Sequence, residues 1–149
     1  MRLTLAAAIL AVLASDAAAS GGLSCSVEEG PVKLEIESGI TRGMGGPLFN
    51  FSASAEFDAP GIDDDLHKIR FEREHVPQYW LDGEVLQLVL YRERIEGEHG
   101  YVQVTVLTRT VDEGTYEGTF ALEAFDMAGD TTGQGKEFKA EGKIGCFVE

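Results

Sequence analysis

Three groups of residues carry side chains whose types and spacing could do chemistry. The first is Glu72-Arg73-Glu74-His75. On a strand Glu72 and Glu74 share a face, and with His75 beside them they could act as the acid and base of a small hydrolase. That work needs pKa values displaced by burial. Pairs of this kind arise by chance in a chain with 26 acidic residues. The expectation is a non-enzymatic protein with no catalytic residue, and a dispersed Glu/His hydrolase is the alternative.

The second group is Asp58, Asp63, Asp64 and Asp65, with His67 following. Several carboxylates in one flexible loop suit calcium, a hard cation that takes oxygen ligands. The spacing is not that of an EF-hand loop. His67 and His75 also lack the His-Glu-x-x-His spacing of a zinc helix. A solvated acidic loop with no metal and no other cofactor is expected, and a calcium-dependent interaction module is a further alternative.

The third group is aromatic: Tyr79, Trp80, Tyr91 and Tyr101. Tyrosine and tryptophan combine a large apolar area with a polar handle, which suits a binding face. The competing and preferred role for Trp80, the only tryptophan, is a core anchor. No Gly-x-Ser-x-Gly elbow is present to expose a serine nucleophile.

The elements that must position these groups read as strands. Period-2 alternation marks a strand buried on one side. It runs through Val32-Leu34-Ile36, and through Phe49, Phe51, Ala53, Ala55 and Phe57, which are expected to face a core. Asn50-Phe51-Ser52 is a formal glycosylation acceptor, read here as part of an outward polar face. Leu23 to Glu28 reads as an opening hairpin with Val32 to Glu37, and Ser38 to Pro47 reads as a glycine-rich loop without phosphate-cradling spacing. Leu66 to Glu74 reads as a strand burying Ile69 and Phe71, with a short helix capped by Asp63 or Asp64 as the other reading.

Asp82-Gly83 lies between apolar runs and predicts a type I′ hairpin. Pro77 sets the start of a strand or an edge. Beyond the turn, Leu86, Leu88 and Leu90 line one face while Val85, Val89 and Tyr91 line the other. This strand alone is apolar on both faces, so something should cover its second side. Val102, Val104 and Val106 follow inward, then Tyr116, Phe120, Leu122 and Ala124, then Phe138, Ile144 and Cys146. Eight or nine antiparallel strands with short turns predict one all-β domain over residues 20–149, a sandwich or a flattened barrel. A barrel could also hold an internal ligand.

Met1-Arg2, the apolar run Leu3 to Leu13 and Ala17-Ala18-Ala19 read as a signal peptide cleaved after Ala19. The run is about half the roughly 20 residues that span a bilayer. The expected location is periplasmic or secreted, without membrane insertion. In that setting Cys25 and Cys146 should form a disulfide. Both fall on the inward side of their strands by parity, which supports the pairing. The formal net charge of −14 argues against nucleic acid and anionic membranes as partners. The reading is an exported acidic β-domain that binds an unidentified protein or small molecule.

Overall fold

The computed structural model describes residues 20–27, 30–41 and 48–149. The expected leader, residues 1–19, lies outside the described residues, as do residues 42–47 of the glycine-rich loop. The described chain forms nine strands in one antiparallel sheet curled into a half-barrel. They are β1 (Ser20–Val27), β2 (Val32–Thr41), β3 (Leu48–Phe57), β4 (Lys68–Phe71) and β5 (Gln78–Leu81). Then follow β6 (Val85–Glu93), β7 (Gly100–Asp112), β8 (Thr115–Asp126) and β9 (Lys136–Val148). The only helical turns among the described residues are two short 3-10 helices, Asp64–Leu66 and Arg73–His75.

The sheet order is β4-β3-β2-β1-β9-β8-β7-β6-β5. Every strand lies beside its sequence neighbour except at one place, and the two ends of the meander close on each other through β1 and β9. Antiparallel pairing all round an odd number of strands leaves β4 and β5 pointing the same way. Parallel neighbours need a crossover of a dozen or more residues, and only residues 72–77 separate these two. They therefore form the two edges of the sheet. In effect one chain path pairs first with β3, bends at Arg73–His75, and then pairs with β6. Across the seam between these edges, an Arg92 Nη1 donates to the backbone carbonyl of Arg70.

The concave face holds the core. Leu34, Ile36, Phe71, Leu86, Leu88, Leu90, Val102, Val104, Val106 and Leu122 are all essentially solvent-free. Their positions follow the alternation, because successive side chains of a strand point to opposite faces. Each large apolar side chain buried this way contributes about 1.5–3 kcal/mol of transfer free energy. Cys25 and Cys146 stand directly opposite each other on β1 and β9 and form the disulfide, buried on the same concave side. A single curled sheet with terminal strands joined in this way lies on the barrel side of the sandwich-or-barrel expectation.

Four local expectations change. Phe49 does not face the core: it is 37% exposed, and its ring lies over Gly39, where a Cβ would collide with it. Asn50 takes a left-handed φ of 49°, and the opposing β2 has a register shift between Glu37 and Gly39. The irregularity moves the inward side from Phe49 to Leu48 and Phe51. Second, β2 continues to Thr41, beyond the expected strand end. Third, residues 64–75 are neither one strand nor one helix: a 3-10 turn buries Leu66, then β4 buries Ile69 and Phe71.

Fourth, the hairpin at Asp82-Gly83 is present, but Asp82 is not one of its central residues. Its backbone N–H donates to the Val85 carbonyl, so Gly83 and Glu84 form the loop, with Gly83 at φ 88°. One positive φ at the first central position is the type II′ pattern, not type I′. The Asp82 carboxylate braces the turn by accepting from the N–H groups of Glu84 and Val85.

Candidate functional site

The turn geometry decides where Trp80 points. With Leu81 opposite Leu86, Trp80 stands opposite Gln87, on the convex side of the sheet. Trp80 is 59% exposed, so it is not the core anchor. Its indole Nε1 donates to Asp82 Oδ2 at 3.0 Å, which fixes the ring on the surface. That bond, joined by the two N–H groups of the turn, holds the Asp82 carboxyl below its ordinary pKa. Tyr79, one residue earlier, points the other way, packs on the core and carries the Arg73 guanidinium 5.8 Å from its ring centre.

Tyr91 and Tyr101 stay on the convex side. Their ring centres lie 5.4 Å apart, and Tyr101 stacks at 5.7 Å on Phe125 of β8. The three rings form a ladder across β6, β7 and β8, and His99 leans on Tyr101 and Phe125 at its end. Tyr91 is a diagonal neighbour of Tyr101, and Phe125 is its direct partner, the two relations in which cross-strand side chains meet. Each phenol is tied to a glutamate: Tyr91 donates to Glu93 at 2.7 Å, and Tyr101 donates to Glu123. Hydrogen bonding to the carboxylates, with some burial, pushes both phenols up to about 12.

The four aromatic residues singled out from the sequence are thus split. Tyr79 is inside. Tyr91 and Tyr101 adjoin each other outside. Trp80 is outside but pairs with Gln87, four residues before Tyr91 on β6, about 13 Å away along the strand. Between them the convex face carries Val89, Thr105 and Ala121 in one cross-strand row and Gln87, Leu107 and Thr119 in the next. Leu107 is 49% exposed, and Val85 and Val89 are half-buried. Among the described residues no second layer covers this side of β6. Thr105 and Ala121 floor a shallow groove of about 350 Å³ edged by Gln103, Glu123, Lys139 and Glu141.

The acidic loop has other duties. Asp58, Asp63, Asp64 and Asp65 are all exposed. Asp65 accepts two hydrogen bonds, 2.7 and 2.8 Å, from the Arg94 guanidinium, which lowers its carboxyl pKa. His67 Nε2 lies 3.0 Å from the Ile62 carbonyl and 3.2 Å from that of Ala59, so its ring fastens the loop. Asp64 is 3.7 Å from the other nitrogen of that ring. Among the described residues, no three His, Cys, Asp or Glu side chains stand in a metal-holding group.

Arg94 was not visible as a key residue in the sequence, where it belongs to a charged turn. Its side chain is only 8% exposed and also donates at 2.7 Å to Asp126, which is fully buried. Burial would raise the Asp126 carboxyl, but Arg94 and the N–H groups of Asp63 and Ala128 override it and hold it at about 2. This buried ion pair clasps the loop before β4 to the ends of β6 and β8. Both charges have protein partners, so the arrangement is a structural clasp.

Glu72 and Glu74 extend into solvent around the Arg73–His75 turn. His75 Nδ1 accepts from the backbone N–H of Glu72 at 2.9 Å, and the Glu72 side chain accepts from the backbone of His75. Glu72 and His75 form a capping box, an arrangement that satisfies two orphan donors at a helix start. It brings no carboxylate pair together in a buried site. Among the described residues no helix is long and apolar enough to cross a membrane. The disulfide is compatible with an extracellular location. No protein family matches this chain, and no curated protein or solved structure matches it.

Proposed function

We propose that this is an exported, non-enzymatic binding module, and that its working surface is the convex face of β6, β7 and β8 together with Trp80. One observation carries the reading. That face holds Val85, Val89, Tyr91, Tyr101, Leu107 and Phe125, while the convex face of β1 and β2 holds Ser24, Ser26, Lys33, Glu35 and Glu37. Both are outer faces of one sheet. Apolar side chains that neither fill the core nor lie under a second layer are what a contact surface needs. The signal peptide expected over residues 1–19 and the disulfide support work outside the cytoplasm.

The test is affinity capture from the periplasmic or extracellular fluid of the source organism. The wild type is compared with Val89→Lys/Leu107→Glu on one face and Ser52→Lys/Ser54→Lys on the other. The reading expects a specific companion with wild type and with the serine variant, and none with V89K/L107E. The same companion on all three proteins, or a hydrolytic activity lost in a folded His75→Ala or Glu72→Gln variant, contradicts it.

A further inference from the structure

The ladder and the groove beside it specify what kind of group this face would hold, an inference that rests on the binding-face reading above. Within the three cross-strand rows that contain Tyr91, Tyr101, Ala121 and Phe125, the charged residues are Glu93, Glu123, Glu137 and Glu141 against a single cation, Lys139. Lys139 is itself engaged, 2.8 Å from Glu137 and 3.5 Å from Glu123. The whole chain carries the same sign, at −14. Carboxylates around aromatic rings form a surface that attracts cations twice over: by charge, and by the negative face of each ring. A phenol donating to a carboxylate has its ring made more electron-rich, which strengthens the second effect. The small side chains of Thr105 and Ala121 leave room for a flat or compact cationic head, one cross-strand row from Tyr91 and two from Tyr101 and Phe125.

We propose that the groove over Thr105 and Ala121, bordered by Glu123 and Glu141 and one cross-strand row from Tyr91, the near end of the ladder, receives arginine or lysine side chains of a basic polypeptide partner. The guanidinium of an arginine suits it best, because a planar head can lie against a ring while donating to a carboxylate. Lys139 is the built-in competitor: it lies against Glu123, one of the two carboxylates that an incoming cation would take. Charge complementarity of this kind sets partner choice and association rate as much as affinity.

The test uses the folded, disulfide-bonded chain, with a hexa-arginine peptide as probe and hexa-lysine and hexa-glutamate for comparison. Binding is read by titration calorimetry and by the ring-proton NMR signals of Tyr91, Tyr101 and Phe125. Hexa-arginine is expected to bind ahead of hexa-lysine, shift those ring signals and leave the signal of Phe49 in place; hexa-glutamate should not bind. Glu123→Gln/Glu141→Gln, which keeps every ring, should weaken binding about tenfold, and Lys139→Gln should strengthen it about threefold. Tyr91→Leu should cost about threefold, the scale of one exposed cation–ring contact. Circular dichroism confirms that each variant is folded. Hexa-arginine binding that moves no ladder signal, or that Lys139→Gln leaves unchanged or weakens, overturns the proposal in favour of diffuse attraction to an acidic surface. No binding of hexa-arginine also overturns it. Either result leaves the binding-face reading to the capture experiment, which uses different substitutions and can succeed or fail on its own.

Discussion

The two halves of the sheet share an inside and differ outside. On the concave side, β2 contributes Leu34 and Ile36 and β6 contributes Leu86, Leu88 and Leu90, all solvent-free. On the convex side, the rows across β1, β2 and β3 read Ser24–Glu37–Ser52 and Ser26–Glu35–Ser54. The rows across β6, β7 and β8 read Val89–Thr105–Ala121 and Gln87–Leu107–Thr119. The first half is what a one-sided antiparallel sheet looks like when only water touches its outer face. The second half departs from that pattern along a continuous strip. Beyond that strip, Phe49 is accounted for locally, because its ring fills the space above Gly39, and Phe147 stands alone beside Ser24, where β9 meets β1. Val89 and Leu107 lie outside the concave core, and a contact surface of the kind proposed would give their apolar character a use.

The largest effect that bears on this comparison is expected where the halves are joined. The Cys25–Cys146 bridge closes a sequence separation of 121 residues across β1 and β9. In the chain-entropy view such a loop contributes roughly 4–5 kcal/mol. Replacing both cysteines with alanine should lower unfolding free energy by about 4 kcal/mol in urea denaturation. A loss below about 1 kcal/mol would mean that strand pairing alone holds the halves together.

A smaller effect is expected at the second junction, the Arg94 clasp. Arg94→Met leaves the Asp126 carboxylate buried with only backbone donors, and removing one partner of a buried pair costs about 3 kcal/mol. The clasp also has a pH signature. Folded Asp126 holds its pKa at about 2, against about 3.9 in an unfolded chain. A depressed carboxyl contributes stability above the unfolded pKa and loses it as pH falls through the folded one. Wild type should therefore lose about 2 kcal/mol from this group between about pH 5 and pH 2. Asp65 is lowered by the same guanidinium and acts in the same direction. In Asp126→Asn this part of the acid slope should be missing, and an unchanged slope would assign the acid sensitivity elsewhere.

Much of the fold was legible because alternation is a local signal. The inward sets of β2, β6, β7 and β8 could be read from parity alone, and so could the disulfide. The misreadings have separate physical causes. A single left-handed residue, Asn50, shifts the phase of β3 by one and turns Phe49 outward. The hairpin residues were recognisable, but which of them take the central positions was not, and that choice decides where the register falls. Once Leu81 opposes Leu86, Trp80 must oppose Gln87 and face out. Arg94 was hidden because its partners Asp65 and Asp126 lie 29 and 32 residues away in sequence. The two-faced apolar character of β6 was visible from the start. What covers its outer side was not, since that depends on whether the sheet stacks on another or curls on itself.

The smallest effect on folding should come from the convex strip, where cover by a partner is directly measurable. Trp80, Leu107, Phe49 and Phe147 are all between about a third and two thirds exposed. They are therefore comparable targets for hydroxyl-radical footprinting of the isolated chain. The measurement is their labelling in the periplasmic or extracellular fluid of the source organism relative to the purified protein. On the binding-face reading, Trp80 and Leu107 should become protected several-fold while Phe49 and Phe147 label as before. Equal labelling at all four residues in both settings, or protection confined to Phe49 and Phe147, would contradict it.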